Sequence, residues 1–270
     1  MTYEQLSPPD FLKANIRYFW TLECNKEEDT ASVFRPITDG CPGLMFHQSD
    51  QGNIYQQDKK LPALFVYGQT TNPAALQLPA KCRIIGAVFH PHALHSIFGL
   101  NADVLTNSCT DLNNLSDKSL ILHEQLANTL STFDQISMIS FSLFCNSEKN
   151  HAAQNNVISA AISYISQQNG NICFKNLLEK IQMTERTFER QFRKTVGISP
   201  KLYARICQFQ SALHQLRSQN YKKLSDVAFE NEYADQSHFT RVFKEFSGFS
   251  PYEFQKTSKE VTENFLAYSL

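Results

Sequence analysis

The spacing of apolar positions changes character along this chain. Up to about residue 90 they fall in short runs, such as Gly43–His47, Leu64–Tyr67 and Arg83–Phe89, punctuated by Pro36, Pro42, Pro62, Pro73 and Pro79. Runs of that length between turn residues predict the β-strands of a small sandwich or barrel. Beyond Pro91 the spacing becomes three-and-four, as on helices. Ala93–Phe98 reads as a short helix stopped by Gly99, and 117–130 and 133–146 as longer ones, with Ser116 and either Ser131 or Thr132 as N-caps. Ser147–Asn150 is polar and aperiodic, which places a domain boundary there and divides the chain into 1–150, 151–257 and a tail, 258–270.

From Val157 onward nearly every segment reads as helix. Ile158, Ile162 and Ile165 form one face before a stop at Gly170; 172–181 follows, and Thr184 caps the next helix. In 201–216, Leu202, Ile206, Phe209, Leu213 and Leu216 keep one apolar stripe over four turns. Segments 224–230, 235–246 and 251–254 complete the pattern. The fold class predicted is α+β. A β-rich domain with following helices precedes an all-α domain of two helix-turn-helix units joined by a long helix.

A duplication explains why two units are expected. Arg190-Gln191-Phe192-Arg193 before Gly197-Ile198-Ser199-Pro200 returns 51 positions later as Arg241-Val242-Phe243-Lys244 before Gly248-Phe249-Ser250-Pro251. Phe188 matches Phe239, and Tyr203 matches Phe254. Repetition at this scale marks a duplicated supersecondary unit. In each copy the Phe residues point to one side and basic residues to another. An isolated helix of this kind is usually the solvated face of a bundle; two in register, each with a Gly-x-Ser-Pro stop, point instead to helices presented together to a ligand.

Charge identifies that ligand. Residues 1–150 hold 10 Lys and Arg against 15 Asp and Glu, and the remainder 15 against 11, so the repeat half is the basic one in a chain of net charge −1. An α-helix fits the DNA major groove, where Arg takes a guanine edge and Gln an adenine edge. The candidate base contacts are Arg186, Glu189, Arg190, Gln236, Ser237, His238 and Arg241; the candidate phosphate contacts are Arg193, Lys194, Thr240 and Lys244. A linker of about 16 residues spans roughly 24 Å. Adding the width of the flanking units sets the helices at 184–196 and 235–246 roughly one DNA turn, about 34 Å, apart, in adjacent major grooves.

Residues 155–256 resemble the DNA-binding domain of AraC/XylS-type transcription regulators. The resemblance rests on 183–192, Gly197–Pro200, Tyr203, Asp226-Val227-Ala228, Tyr233, Asp235–Phe239, Arg241–Lys244, Gly248–Pro251 and Phe254. It implies sequence-specific regulation of transcription, with double-stranded promoter DNA and RNA polymerase as partners. Two departures stand out. Glu232 occupies the turn before the second reading helix where the family has glycine, so it must accept positive φ or alter the turn. Gln208 stands where the family favours Arg in the linker helix, which removes one bracing or phosphate contact. The first 150 residues, through Arg35–Phe46, Gly68-Gln69 and Gly86–Pro91, resemble an uncharacterised domain found ahead of such DNA-binding domains. Its position implies a sensing or homodimerising role.

Other chemistry is weaker. Trp20, Phe34, Phe46, Phe65 and Tyr67, with Tyr18, are candidates to line a pocket for a small-molecule effector, set against an ordinary aromatic core. His90, His92 and His95 lack a nearby carboxylate or Cys to complete a metal set. Seven cysteines lie singly, without a Cys-x-x-Cys pair, as reduced thiols do. Cys41 beside Pro42-Gly43 raises the alternative of a thiol-transfer or repair enzyme that docks on DNA, but no base stands beside any Cys. A further alternative is a protein-interaction module whose weakened second unit has lost DNA. The expectation is a cytoplasmic regulator, not an enzyme, without cofactor, metal, signal segment or membrane span.

Overall fold

The computed structural model describes residues 1–25, 32–115, 117–150 and 156–256. Ser116 and the 258–270 tail, both singled out in the sequence, lie outside the described residues. The first domain is built on two antiparallel sheets. The larger contains β1 (Thr2–Leu6), β2 (Ile16–Asn25), β4 (Gly43–Gln48), β7 (Leu64–Tyr67), β9 (Lys81–Phe89) and β10 (Cys109–Asp111), in the order β1-β2-β9-β4-β7-β10. The smaller contains β3 (Ser32–Phe34), β5 (Tyr55–Gln56), β6 (Lys59–Lys60) and β8 (Leu76–Leu78), in the order β3-β8-β5-β6.

The large sheet is covered on both faces, which is why its strands read as continuous apolar runs instead of alternating ones. Ile16, Phe19, Leu44, Phe46, Leu64, Val66, Ile85 and Phe89 pack on one side with Leu94 and Ile97 of α1 (Ala93–Phe98), Leu126 of α2 (Asp117–Asn128) and Ile139 and Leu143 of α3 (Thr132–Lys149). Tyr18, Trp20, Leu22, Met45, Phe65 and Ile84 pack on the other with Phe34, Leu76 and Leu78 of the small sheet. A bulge between Ile16 and Tyr18 sets the register of β2 on β9, placing Trp20 opposite Gly86. A Cβ on Gly86 would lie 2.1 Å from the Trp20 indole, so only glycine leaves room for that ring. Ser131 caps α3, accepting from Asp134 N at 3.3 Å, which resolves the choice of cap.

The second core gathers Phe188, Phe192, Phe209, Phe239, Phe243 and Phe246 with Ile158, Ile162 and Ile165 of α4 (Asn156–Gln167). α5 (Phe174–Ile181) and α6 (Glu185–Val196) form the first unit; α8 (Leu224–Glu230), α9 (Gln236–Ser247) and α10 (Pro251–Lys256) form the second. Between them runs α7 (Pro200–Ser218), whose 19 residues exceed the 16 expected and span about 28 Å. Ser199 starts it by accepting from Leu202 N at 3.2 Å, with Pro200 in the first turn. The Gly-x-Ser-Pro signature is therefore one helix's left-handed C-cap glycine joined to the next helix's N-cap. Among the described residues no helix is long and apolar enough to cross a membrane.

Candidate nucleic-acid interface

Both reading helices are fixed by the same devices. Thr184 accepts from Thr187 N at 3.3 Å and Asp235 from His238 N at 2.7 Å, and each helix ends on a left-handed glycine, Gly197 at φ 99 and Gly248 at φ 82. Phe188 and Phe192 bury one face of α6; Phe239, Phe243 and Phe246 bury one face of α9. The opposite faces are solvated. Arg186, Arg190, Arg193 and Lys194 are exposed on α6, with Glu189 half-buried; Gln236, Ser237, Arg241 and Lys244 are exposed on α9, with His238 and Thr240 half-buried.

Several candidates have partners within the chain. Arg193 pairs with Glu189 at 3.1 Å. Thr240 donates to Gln236 O at 2.8 Å, and the His238 ring meets Tyr233 edge-on at 5.5 Å. Arg190, Arg241 and Lys244 stand exposed on the surface. Two ion pairs that the sequence reading missed connect the linker to both reading helices. Lys201 reaches Glu185 of α6 at 3.2 Å, and Arg205 reaches Glu245 of α9 at 2.8 Å while lying over the Phe246 ring at 5.3 Å. Exposed pairs stabilise little, but two on successive turns of one helix fix orientation.

The turns correct the expected asymmetry between the units. Glu232 accepts positive φ, at 56°, with Tyr233 N bonded to Ala228 O at 2.9 Å and Glu232 N to Phe229 O at 3.0 Å. The first unit does the same without glycine: Gln182 has φ 53°, Met183 N bonds Leu178 O at 3.3 Å and Gln182 N bonds Glu179 O at 3.4 Å. Glu232 is thus the counterpart of Gln182, not a defect of one copy. Gln208 does not leave a brace missing either, since its Nε2 donates to Asn231 O at 2.8 Å and holds the end of α8.

The N-terminal domain packs on this unit. Thr106 donates to Gly197 O at 2.7 Å, Gln210 of α7 donates to Thr38 O at 2.5 Å, and Gly40 lies against Tyr203 and Ile206. Pro73 lies against Gly248. A cavity of about 290 Å³ opens at this junction, lined by Trp20, Phe34, Phe65, Tyr67 and Tyr18 from the first domain and Leu213 and Arg217 from α7. Phe46 does not join them. It neighbours Met45 on β4, so the pleat turns it to the helix-covered face, where it packs edge-on to His123 at 6.5 Å. The contribution of α7 had no sequence signal, because Leu213 belongs to the apolar stripe of an ordinary core helix.

Cys41 is fully buried, with the Arg17 guanidinium donating to its Sγ at 3.2 Å; burial outweighs that cation and pushes the thiol up to about 12. A thiol held protonated is a poor nucleophile, which leaves the thiol-transfer reading without support at this residue. The cysteines are not all solitary, however. Cys24 and Cys82 face each other in register across β2 and β9. Among the described residues no group of three or more His, Cys, Asp and Glu is arranged to hold a metal.

His90 and His92 stack at 6.0 Å, and the His90 ring meets Lys13 O at 3.2 Å. Burial, with His92 and Arg17 adding to it, pushes His90 down to about 4. An unfolded His binds its proton near pH 6.5, so between about 6.5 and 4 the unfolded chain takes up a proton that the folded chain refuses. Stability is complete above that window and falls as pH drops through it. Urea unfolding should show His90 contributing a loss of about 1–2 kcal/mol between about pH 7 and pH 5, which His90→Gln removes; an equal loss in the variant would contradict this account.

Residues 177–257 match the family described as a helix-turn-helix domain. Residues 4–111 match a domain of unknown function (DUF6597). The transcriptional activator RhaS of Citrobacter koseri is 24% identical over 110 residues, 41% of this chain and 38% of that protein. An uncharacterized helix-turn-helix regulator of Haemophilus influenzae is 28% identical over 99 residues, 37% of this chain and 33% of that one. The chain thus spans well under half the length of these relatives. Among solved structures, ToxT of Vibrio cholerae aligns over 88% of this chain and 97% of its own, at 11% identity and a TM-score of 0.46.

Proposed function

We propose that the chain is a sequence-specific DNA-binding regulator of transcription that seats α6 and α9 in adjacent major grooves of promoter DNA. The observation that carries this reading is the pair of solvated faces around Arg190 and Arg241, on two helices that are each ion-paired to the first turns of the linker helix, at Lys201 and Arg205. The N-terminal domain controls the pair through a small-molecule effector. RNA polymerase and a second copy of the chain are its further partners; exposed Leu130, Phe133 and Phe141 on and beside α3 support self-association.

Selection of bound sequences from a random DNA pool by the full chain tests the reading. The expected product is a site with two base-specific elements roughly one helical turn apart, about 10 base pairs. Duplication of that bipartite site would agree with binding by two copies. Recovery of unenriched sequences would overturn the reading and favour the protein-interaction module.

A further inference from the structure

The junction cavity offers more than a place for an effector, because its wall defines which chemistry fits and which parts of the chain register occupancy. Six aromatic rings line it: Tyr3, Tyr18, Trp20, Phe34, Phe65 and Tyr67. Trp20 and Phe34 are stacked at 5.7 Å. Among the described residues the charged side chains on the wall are Asp39 and Arg217, of opposite sign, so the wall carries no net formal charge. Burial also holds the Tyr67 hydroxyl and the Cys41 thiol protonated. The remaining polar groups, among them Gln56, Asn72 and Asn107, are neutral amides and hydroxyls that fix orientation without selecting charge. A wall of this kind favours flat apolar surface with one or two hydrogen-bonding substituents, and because its two ionisable groups, Asp39 and Arg217, offset one another it carries no net charge that would favour an ionic ligand over a neutral one.

Two loops of the same wall grip the two copies of the repeat. The loop containing Thr70, Asn72 and Pro73 meets Gly248 through Pro73; the segment containing Asn107 and Ser108 follows directly on Thr106, which bonds Gly197 O at 2.7 Å. Gly197 and Gly248 are the C-caps of the two reading helices. The loops are tied to each other: Thr71 N donates to Asn107 Oδ1 at 2.8 Å, Asn107 Nδ2 donates to Thr71 Oγ1 at 2.9 Å, and Asn107 N donates to Gln69 O at 2.8 Å. Gln69 in turn donates to Gly40 O at 2.7 Å, against α7. The cavity wall therefore includes residues of both grips.

We propose that the cavity takes an uncharged planar aromatic compound of roughly benzamide to indole size, and that the Thr71–Asn107 pair transmits its occupancy to both reading helices. The site deepens the regulator reading and rests on it for the DNA response, but ligand binding itself is read independently. Trp20 is the single tryptophan of the chain and lies in the wall, so its fluorescence reports occupancy.

Titration of the full chain with three matched probes makes the test. Benzamide is uncharged and planar, benzoate planar and charged, cyclohexanecarboxamide uncharged and not planar. Benzamide is expected to change Trp20 fluorescence saturably with Kd of about 1 mM or below, about tenfold tighter than either of the others. Phe34→Ala is expected to weaken benzamide about tenfold with the far-ultraviolet circular dichroism unchanged. Benzamide should also alter affinity for a selected DNA site, and Thr71→Val, which removes the hydroxyl bonded to Asn107 from a side chain outside the cavity wall, should weaken that effect while keeping benzamide affinity within about twofold. Benzoate binding as tightly as benzamide, or no saturable signal from benzamide, would overturn the ligand class. An unaltered DNA response in Thr71→Val would overturn the transmission. Saturable benzamide binding by a chain that binds no DNA would preserve the site and sink the regulator reading instead.

Discussion

Arg190→Ala and Arg241→Ala should each weaken binding to a selected DNA site by about 1–3 kcal/mol, a loss of roughly 5- to 150-fold at constant salt. Each arginine sits mid-helix on the solvated face, with Phe192 or Phe243 fixing the opposite face in the core. Truncation should therefore remove the proposed base-edge contact without disturbing the helix. Lys244→Ala provides the contrast. It lies exposed in the last turn of α9, and as the proposed phosphate contact its removal should weaken binding to all sequences alike and lower the steepness of the salt dependence by about one ion. Arg193 is expected to contribute less than Arg190, because DNA must first displace its ion pair with Glu189 at 3.1 Å. Fluorescence anisotropy over a salt series separates these cases; a sequence-independent loss for both arginines would contradict their assignment as base contacts.

Gly170→Ala should be the most damaging small substitution in the second domain, at about 2–5 kcal/mol of unfolding free energy. Gly170 has φ +79°, so any side chain there is strained. A Cβ would also stand 1.9 Å from the carbonyl oxygen of Ala204 and 2.9 Å from Gln208 N, both backbone atoms of the linker helix. Backbone of a packed helix does not yield as a side chain does, so α4 would be pushed off α7. Gly99→Ala is the control: at φ +67° it carries the same kind of strain, but its nearest neighbour is the end of the Asn150 side chain at 3.1 Å. Its cost should be only about 1–2 kcal/mol. Urea unfolding of both variants decides the matter, and a Gly170→Ala loss no larger than that of Gly99→Ala would refute the close approach.

What the sequence made legible follows from where its signals are local. Periodicity and caps located α6 at Thr184 and α9 at Asp235, and the first Gly-x-Ser-Pro located the start of α7. Periodicity did not reveal that the large sheet is covered on both faces, which is why Phe46 was grouped with Trp20 when the pleat separates them. Glycine counting suggested unequal turns, yet Gln182 and Glu232 adopt the same left-handed conformation because the backbone bonds around them stabilise it. Contacts between distant segments had no local signature at all. The pairs Lys201–Glu185 and Arg205–Glu245, the bond from Thr106 to Gly197 and the α7 wall of the cavity arise only once tertiary packing brings those segments together.

The central claim is that one chain reads two successive major grooves, one with each copy of its repeat. Guanine-methylation interference on a selected site, performed with the full chain and with the Arg190→Ala and Arg241→Ala variants, tests it most directly. The account predicts two clusters of interfering guanines about one helical turn apart, with each variant losing sensitivity in one cluster and retaining it in the other. A single cluster, or both clusters lost together in either variant, would contradict it.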